Sequence, residues 1–103
     1  GTEQFVFTSG QLSINPETGE LVTEISAAAR QALENVKAIL EEAGSSMDKV
    51  IKCTVFLADI NDFKAVNEVY QEYFKEHKPA RSAIQVGALP LGGIVEIEAI
   101  ASL

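Results

Sequence analysis

The spacing of hydrophobic residues predicts a long amphipathic helix in the first half of the chain. Apolar residues recur there every three or four positions, which places them on one helical face; they are Ile25, Ala29, Ala32, Leu33, Val36, Ile39, Leu40 and Ala43. Thr23 is the expected N-cap, and Glu24 suits the positive end of the helix dipole. Gly44 is the expected stop.

A second stripe of apolar and aromatic residues predicts another helix, from a cap at Asp59 or Asn61 to about His77. Its members recur at the same spacing and are Phe63, Val66, Val69, Tyr70, Tyr73 and Phe74. Pro79 restricts the residue before it to extended conformations, so the helix is expected to end before this proline.

The other apolar runs are short and rich in β-branched and aromatic residues, which is typical of strands. They cover residues 3–8, 11–14, 21–22 (a brief return), 50–57, 81–86 and 94–103. A cluster of turn residues at 15–19 separates the second run from the return. The order β-β-α-β-α-β-β predicts an α+β fold without repeats or linkers.

Two helices can cover only one face of such a sheet, yet the strands carry apolar residues on both faces. Alternate residues from Val95 to Ala101 share one side of the last strand, and in the strand 50–57 we expect Val55 and Leu57 to oppose Cys53 and Phe56. No element remains to cover the second face, so self-association is the expected solution.

Composition excludes several classes of protein. The chain has 103 residues and a net charge of −7, which disfavours binding to a nucleic-acid backbone or an anionic membrane. No run reaches transmembrane length, and no signal peptide is apparent. Cys53 is the only cysteine and His77 the only histidine, so we expect no internal disulfide and no ordinary metal site. One domain in the reducing cytoplasm, with Cys53 an inert core thiol, is the simplest interpretation.

The two arginines predict different roles. Arg30 lies four residues before Glu34 on a helix, which indicates a solvated ion pair. Arg81 begins a strand directly after Pro79-Ala80, at a bend where its guanidinium can enter a cleft and hold a carboxylate through two hydrogen bonds. From the residues alone, a structural role for Arg81 is the favoured alternative.

Other polar residues are candidates for chemistry. Glu96 and Glu98 share one face of an otherwise apolar strand, with their α-carbons about 7 Å apart. A carboxylate in this place, beside an oligomer interface, can act as acid or base through a water. The favoured alternative is that both glutamates simply form the solvent-exposed face of an amphipathic edge strand. Asn67 either satisfies a buried backbone group or reaches a ligand, with the structural role favoured. Ser9-Gly10 is either a bulge that exposes backbone donors or a simple turn.

Several motifs carry a resemblance to one protein family. They are Ser9-Gly10-Gln11, Asn15–Gly19 (NPETG), Val66-Asn67 with Tyr70 and Phe74, Pro79–Ser82 (PARS) and Val95–Ala101 (VEIEAIA). In this order they resemble the RidA/YjgF family, the reactive intermediate deaminases. The similarity spans residues 1–103 as one domain, and PARS together with VEIEAIA is specific. The sequence begins at residues that match the middle of the family's N-terminal region; in the family, a preceding segment carries a Gly-Pro-Tyr motif whose tyrosine helps to wall the pocket.

The resemblance implies a chorismate-mutase-like fold, with two helices on one face of a β-sheet. It also implies a homotrimer whose open sheet faces form a central barrel, with sites between subunits. The implied reaction converts reactive 2-imino and 2-enamine acids, such as 2-iminobutyrate and 2-aminoacrylate, to 2-keto acids and ammonia. Such reactions require neither a cofactor nor a metal.

The resemblance also implies roles for individual residues. Arg81 matches the arginine that clamps the substrate carboxylate, and Glu96 matches the acid that positions the attacking water. Further pocket positions match Ser9, Gly10, Asn67 and Ala83, of which the last contributes a backbone N–H where many members have a cysteine. The alternatives are a non-catalytic module that binds keto acids and, disfavoured by the acidic charge, a translation inhibitor or ribonuclease.

Overall fold

The computed structural model of the chain describes residues 4–103. Its two helices are α1 (Ile25–Glu42) and α2 (Phe63–Tyr73), and its strands are β1 (Phe5–Phe7), β2 (Gln11–Leu12), β3 (Val50–Leu57), β4 (Ala80–Gln85) and β5 (Val95–Ser102). Short 3-10 turns lie at Met47–Lys49, Ile60–Asp62 and Pro90–Gly92. The predicted α+β order is confirmed, except that the return at 21–22 is a single bridge between Ile14 and Leu21. Residue 3, where the first strand was predicted to begin, lies outside the described residues.

One mixed sheet contains all five strands. The order is β1-β5-β3-β4, and β2 also pairs with β5. β3 and β4 are parallel, because α2 carries the chain back between them, and the other pairs are antiparallel. β5 therefore lies in the middle of the sheet although it follows every other strand along the chain.

Both helices pack on one face of the sheet and bury its alternate residues. On β5 these are Val95, Ile97, Ala99 and Ala101, and on β3 they are Val50, Cys53, Val55 and Leu57. The prediction that Cys53 opposes Val55 and Leu57 was wrong, because residues two apart on a strand point to the same side. Only Phe56 of that group lies on the opposite face.

The opposite face, called the open face below, carries exposed aromatic and aliphatic side chains. Phe5, Phe7 and Ile84 are 46%, 71% and 47% exposed. They alternate with core residues along β1 and β4, so they project away from the helices. Within the described part of one chain no element covers this face, as the pattern predicted.

The helix ends differ in part from the predictions. The N-cap of α1 is Glu24 and not Thr23, since the Glu24 carboxylate accepts a 2.7 Å hydrogen bond from the Ala27 N–H. Gly44 ends α1 as predicted and has a φ of +89°. α2 ends at Tyr73, earlier than the predicted His77. Phe74 leaves the helical conformation to bury its ring against Tyr70, and His77 instead bonds the Val50 carbonyl.

Candidate functional site

The side chain of Arg81 lies on the helix-covered side of the sheet, against α2. On β4 its register partner is Cys53 of β3, which is buried in the core. Its guanidinium donates a hydrogen bond to the Asn67 side-chain oxygen and lies over two rings, with its central carbon 5.1 Å from the centre of Phe63 and 4.8 Å from that of Tyr70. The spacing of these three α2 residues places them on one face of the helix.

The charge of Arg81 has no carboxylate partner among residues 4–103. The single ion pair in that part joins Arg30 to Glu72, 2.9 Å apart, and bridges the two helices. The predicted pairing of Arg30 with Glu34 was therefore wrong, and Glu34 accepts a 2.6 Å hydrogen bond from the Tyr73 hydroxyl. Since Asn67 is neutral, Arg81 keeps a full positive charge and several unused donors for an anion.

A cavity of about 360 Å³ adjoins the guanidinium. It is lined by Asn67, Tyr70, Gln71, Phe74, Lys78, Pro79 and Arg81. The groups beneath Arg81 are uncharged at neutral pH, because burial raises the pKa of Cys53 to about 11 and that of Tyr70 well above its usual value. The thiol is buried in the core, as predicted, and among the described groups that contact the Arg81 guanidinium none carries a negative charge.

Glu96 points to the open face, where its carboxylate lies against the backbone of Gly10. A Cβ atom on Gly10 would be 2.7 Å from one carboxylate oxygen and 2.8 Å from the carboxyl carbon. Thr8 anchors this segment, since its backbone and its hydroxyl both bond the backbone of Ala99 on β5. Only glycine therefore fits at position 10 with Glu96 in this place, and Ser9 is exposed beside it.

The residues predicted for the site form two separate groups in one chain. Asn67, Arg81 and Ala83 lie on the helix side, and Ser9, Gly10 and Glu96 form the second group around the open face. Arg81 on β4 and Glu96 on β5 are separated by β3, so their backbones are about 10 Å apart. Their side chains also point to opposite faces of the sheet, which increases the separation of the charged groups. A single small ligand cannot touch both groups of the same chain.

Glu98 occupies a different part of the open face. It lines a small cavity of about 100 Å³ with Lys52 and Thr54, and Gly10 is not part of it. The Lys52 ammonium donates a 2.9 Å hydrogen bond to the Ser82 hydroxyl of β4. Of the two glutamates on β5, Glu96 is therefore the one that the fold places beside Ser9 and Gly10.

Sequence reasoning missed the contacts that Phe63 and Tyr70 make with Arg81. Both were assigned to the apolar stripe of α2, and Tyr70 is indeed buried. The available signal was their spacing from Asn67, four residues on one side and three on the other, which places all three on one face.

From 4 to 103, the His, Cys, Asp and Glu side chains form no group of three or more that could hold a metal ion. Neither α1 nor α2 is both long and apolar enough to cross a membrane.

The chain is similar to known proteins in both sequence and fold. The endoribonuclease L-PSP family pattern matches residues 1–103. A RutC family protein of Pyrococcus horikoshii is 57% identical over 98 residues, covering 94% of this chain and 78% of that protein. The 2-iminobutanoate/2-iminopropanoate deaminase of Escherichia coli K12 is 50% identical over 99 residues, covering 93% and 77%. The crystal structure of E. coli TdcF with bound serine superposes with a TM-score of 0.92 at 50% identity, covering 96% of this chain and 80% of that one.

Proposed function

This chain belongs to the endoribonuclease L-PSP family, which is the RidA/YjgF family that its motifs resemble. We propose that it is a deaminase of reactive imines. It hydrolyses 2-imino and 2-enamine acids, such as 2-iminobutyrate and 2-aminoacrylate, to 2-keto acids and ammonia. The observation that carries the proposal is the Arg81 guanidinium, which faces a cavity without a carboxylate partner in the described chain. The serine bound to TdcF is itself an α-amino acid with a free carboxylate, which supports a ligand of this class.

We propose that the complete site forms between two copies of the chain. The group around Arg81 of one copy supplies the carboxylate clamp, and the group around Glu96 of the next copy supplies the base. The opposite directions of these side chains support this division, since one chain cannot bring them together. The exposed Phe5 and Phe7 support packing of the open faces, which in a homotrimer would line a central barrel.

In the proposed reaction Arg81 binds the substrate carboxylate through two hydrogen bonds, and the Ala83 backbone N–H adds a third. The protonated imine carbon is then held against a water beside Glu96. Glu96 accepts a proton from the water as its oxygen bonds to that carbon, and a carbinolamine forms. Glu96 returns the proton to nitrogen and then accepts the hydroxyl proton as the carbon–nitrogen bond breaks, so the carbonyl of the 2-keto acid forms and ammonia leaves. The departing ammonia takes that proton back from Glu96 and is released as ammonium.

This chemistry makes modest demands on the protein. A protonated imine is already electrophilic, so a positioned water and one carboxylate are sufficient, and no cofactor or metal enters the proposed steps. Enzymes that use pyridoxal phosphate release such imines into the cytoplasm, where the single cysteine of this chain would remain reduced. The biological role would be the removal of damaging metabolites.

The experiment that tests the proposal mixes two inactive variants. An amino-acid oxidase generates the imine, and semicarbazide traps whatever escapes hydrolysis. We expect wild-type protein to suppress trapping, whereas Arg81→Ala and Glu96→Ala alone do not. After equal amounts of the two variants are unfolded together and refolded, activity should return to about a quarter of wild type, because one interface in about four then combines an intact Arg81 group with an intact Glu96 group.

Other outcomes would point to other functions. If wild-type protein leaves trapping unchanged while a 2-keto acid still binds, the chain is a binding module without turnover. If each variant alone is inactive and the mixture stays inactive although mixed oligomers form, the division of the site between copies is wrong. Single-stranded RNA incubated with the same preparation should stay intact, since the net charge of −7 opposes RNA binding.

Gly10→Ala should impair turnover with little effect on stability. The new methyl group would overlap the Glu96 carboxylate, which is the mobile end of a side chain and can move aside cheaply. Displacing a catalytic base by about 1 Å costs roughly 10- to 100-fold in kcat. Gly87→Ala is the matched control, because a Cβ there meets nothing within 4 Å. Equal kcat values for the two variants would contradict the proposed place of Glu96.

A further inference from the structure

We propose that Phe63 and Tyr70 are positioning residues that hold the Arg81 guanidinium ready for a carboxylate. This inference rests on the proposed function, because the carboxylate is that of the proposed substrate or product. The guanidinium carbon is 5.1 Å from the centre of the Phe63 ring and 4.8 Å from that of Tyr70. Both distances lie within the range at which a cation is attracted to a ring face.

The rings restrain Arg81 without neutralising it. A carboxylate in their place would also orient the guanidinium, but it would occupy two donors and repel an anionic ligand. An aromatic face attracts the cation and takes no N–H group. Asn67 accepts a single hydrogen bond, so the remaining donors stay available for a substrate that also carries negative charge.

The fold makes these rings a rigid support. Tyr70 is 6% exposed, and its ring packs 4.7 Å from that of Phe74. Phe63 and Tyr70 project from the same face of α2, on either side of Asn67 in the sequence. A free arginine side chain samples many rotamers, so restraining it before the ligand arrives removes part of the ordering cost of binding.

The ring of Tyr70 and its hydroxyl group should contribute differently to the support of Arg81. Within the described residues this hydroxyl is buried without a hydrogen-bond partner. Burial also raises the pKa of Tyr70 well above its usual value, so no phenolate forms to pair with Arg81. The ring should therefore be required and the hydroxyl dispensable.

The test compares Tyr70→Phe, Tyr70→Leu and Phe63→Leu by two measurements on the assembled protein. One is kcat and KM in the imine assay, and the other is the dissociation constant of 2-oxobutanoate by calorimetry. We expect Tyr70→Phe to stay within about twofold of wild type, and each leucine variant to raise KM and the dissociation constant by about five- to thirtyfold with kcat nearly unchanged. Tyr73→Leu removes a ring of α2 outside the cavity and should alter neither constant.

The two measurements separate the failure of this inference from that of the deaminase proposal. Binding of 2-oxobutanoate without turnover would refute the deaminase proposal. The dissociation constants of the variants would still show whether the Phe63 and Tyr70 rings support Arg81. Leucine variants with lowered melting temperatures but wild-type KM and affinity would show that the rings only fill the core. If wild-type protein neither binds 2-oxobutanoate nor hydrolyses the imine, both proposals are refuted: the carboxylate clamp at Arg81 and its support by Phe63 and Tyr70.

Discussion

Arg81→Lys should lower kcat/KM by about 100- to 1000-fold, chiefly by raising KM. A lysine keeps the positive charge but loses the planar pair of donors that grips both carboxylate oxygens. Each charge-assisted hydrogen bond contributes roughly 1.5–3 kcal/mol, and about 1.4 kcal/mol corresponds to a factor of ten. Lysine also loses most of the flat contact with the Phe63 and Tyr70 rings. Steady-state kinetics in the imine assay measures both constants.

The matched control for Arg81→Lys is Arg30→Lys. Arg30 is the only other arginine, and its exposed ion pair with Glu72 contributes little to stability. We expect its kinetics and melting temperature to stay at wild-type values. Should Arg81→Lys retain the wild-type KM, the carboxylate must bind elsewhere in the molecule.

Glu96→Gln should lower kcat by about 100- to 10,000-fold and leave KM nearly unchanged. Glutamine has the same shape and still fits against Gly10, but its amide cannot take a proton from water. The loss should therefore fall on the chemical step and not on substrate binding. Single-turnover measurements at saturating substrate would isolate that step.

Glu98→Gln is the control for this second prediction. It removes the same charge from the same face of β5, two residues away, but beside Lys52 and Thr54 instead of Gly10. We expect kcat to remain within about twofold of wild type, because this carboxylate is not beside Gly10, where the proposed water is held. A large loss in Glu98→Gln together with wild-type kcat in Glu96→Gln would reverse the assignment of the base.

The sequence predicted those parts of the fold that depend on local signals. The apolar spacing that defines α1, and Gly44 at its end, act through residues close in the chain, so a linear pattern contains them. The end of α2 was predicted too late because Phe74 leaves the helix to reach the core, a contact that spacing does not encode. The partner of Arg30 was wrong for the same reason, since Glu72 lies on the other helix.

The sequence could propose residues for the candidate site but not their arrangement. Residue type alone favoured structural roles for Arg81 and Glu96, and the resemblance proposed them as site residues, yet nothing in their order shows that they point to opposite faces of the sheet. That fact depends on which strand neighbours which, and on the register of each pair. The role of Tyr70 was hidden because an aromatic residue in a helical stripe has the same pattern whether it fills a core or supports a cation.

The place of β5 in the sheet has a consequence for synthesis on the ribosome. Translation produces β1, β2, α1, β3, α2 and β4 first, yet β1, β2 and β3 all require β5 as their neighbour. Until residues 95–102 emerge from the exit tunnel, the inner faces of α1 and β3 have no complete sheet to pack against. The sheet therefore cannot be completed before β5 is available, and until then the apolar faces of α1 and β3 are exposed to non-native contacts.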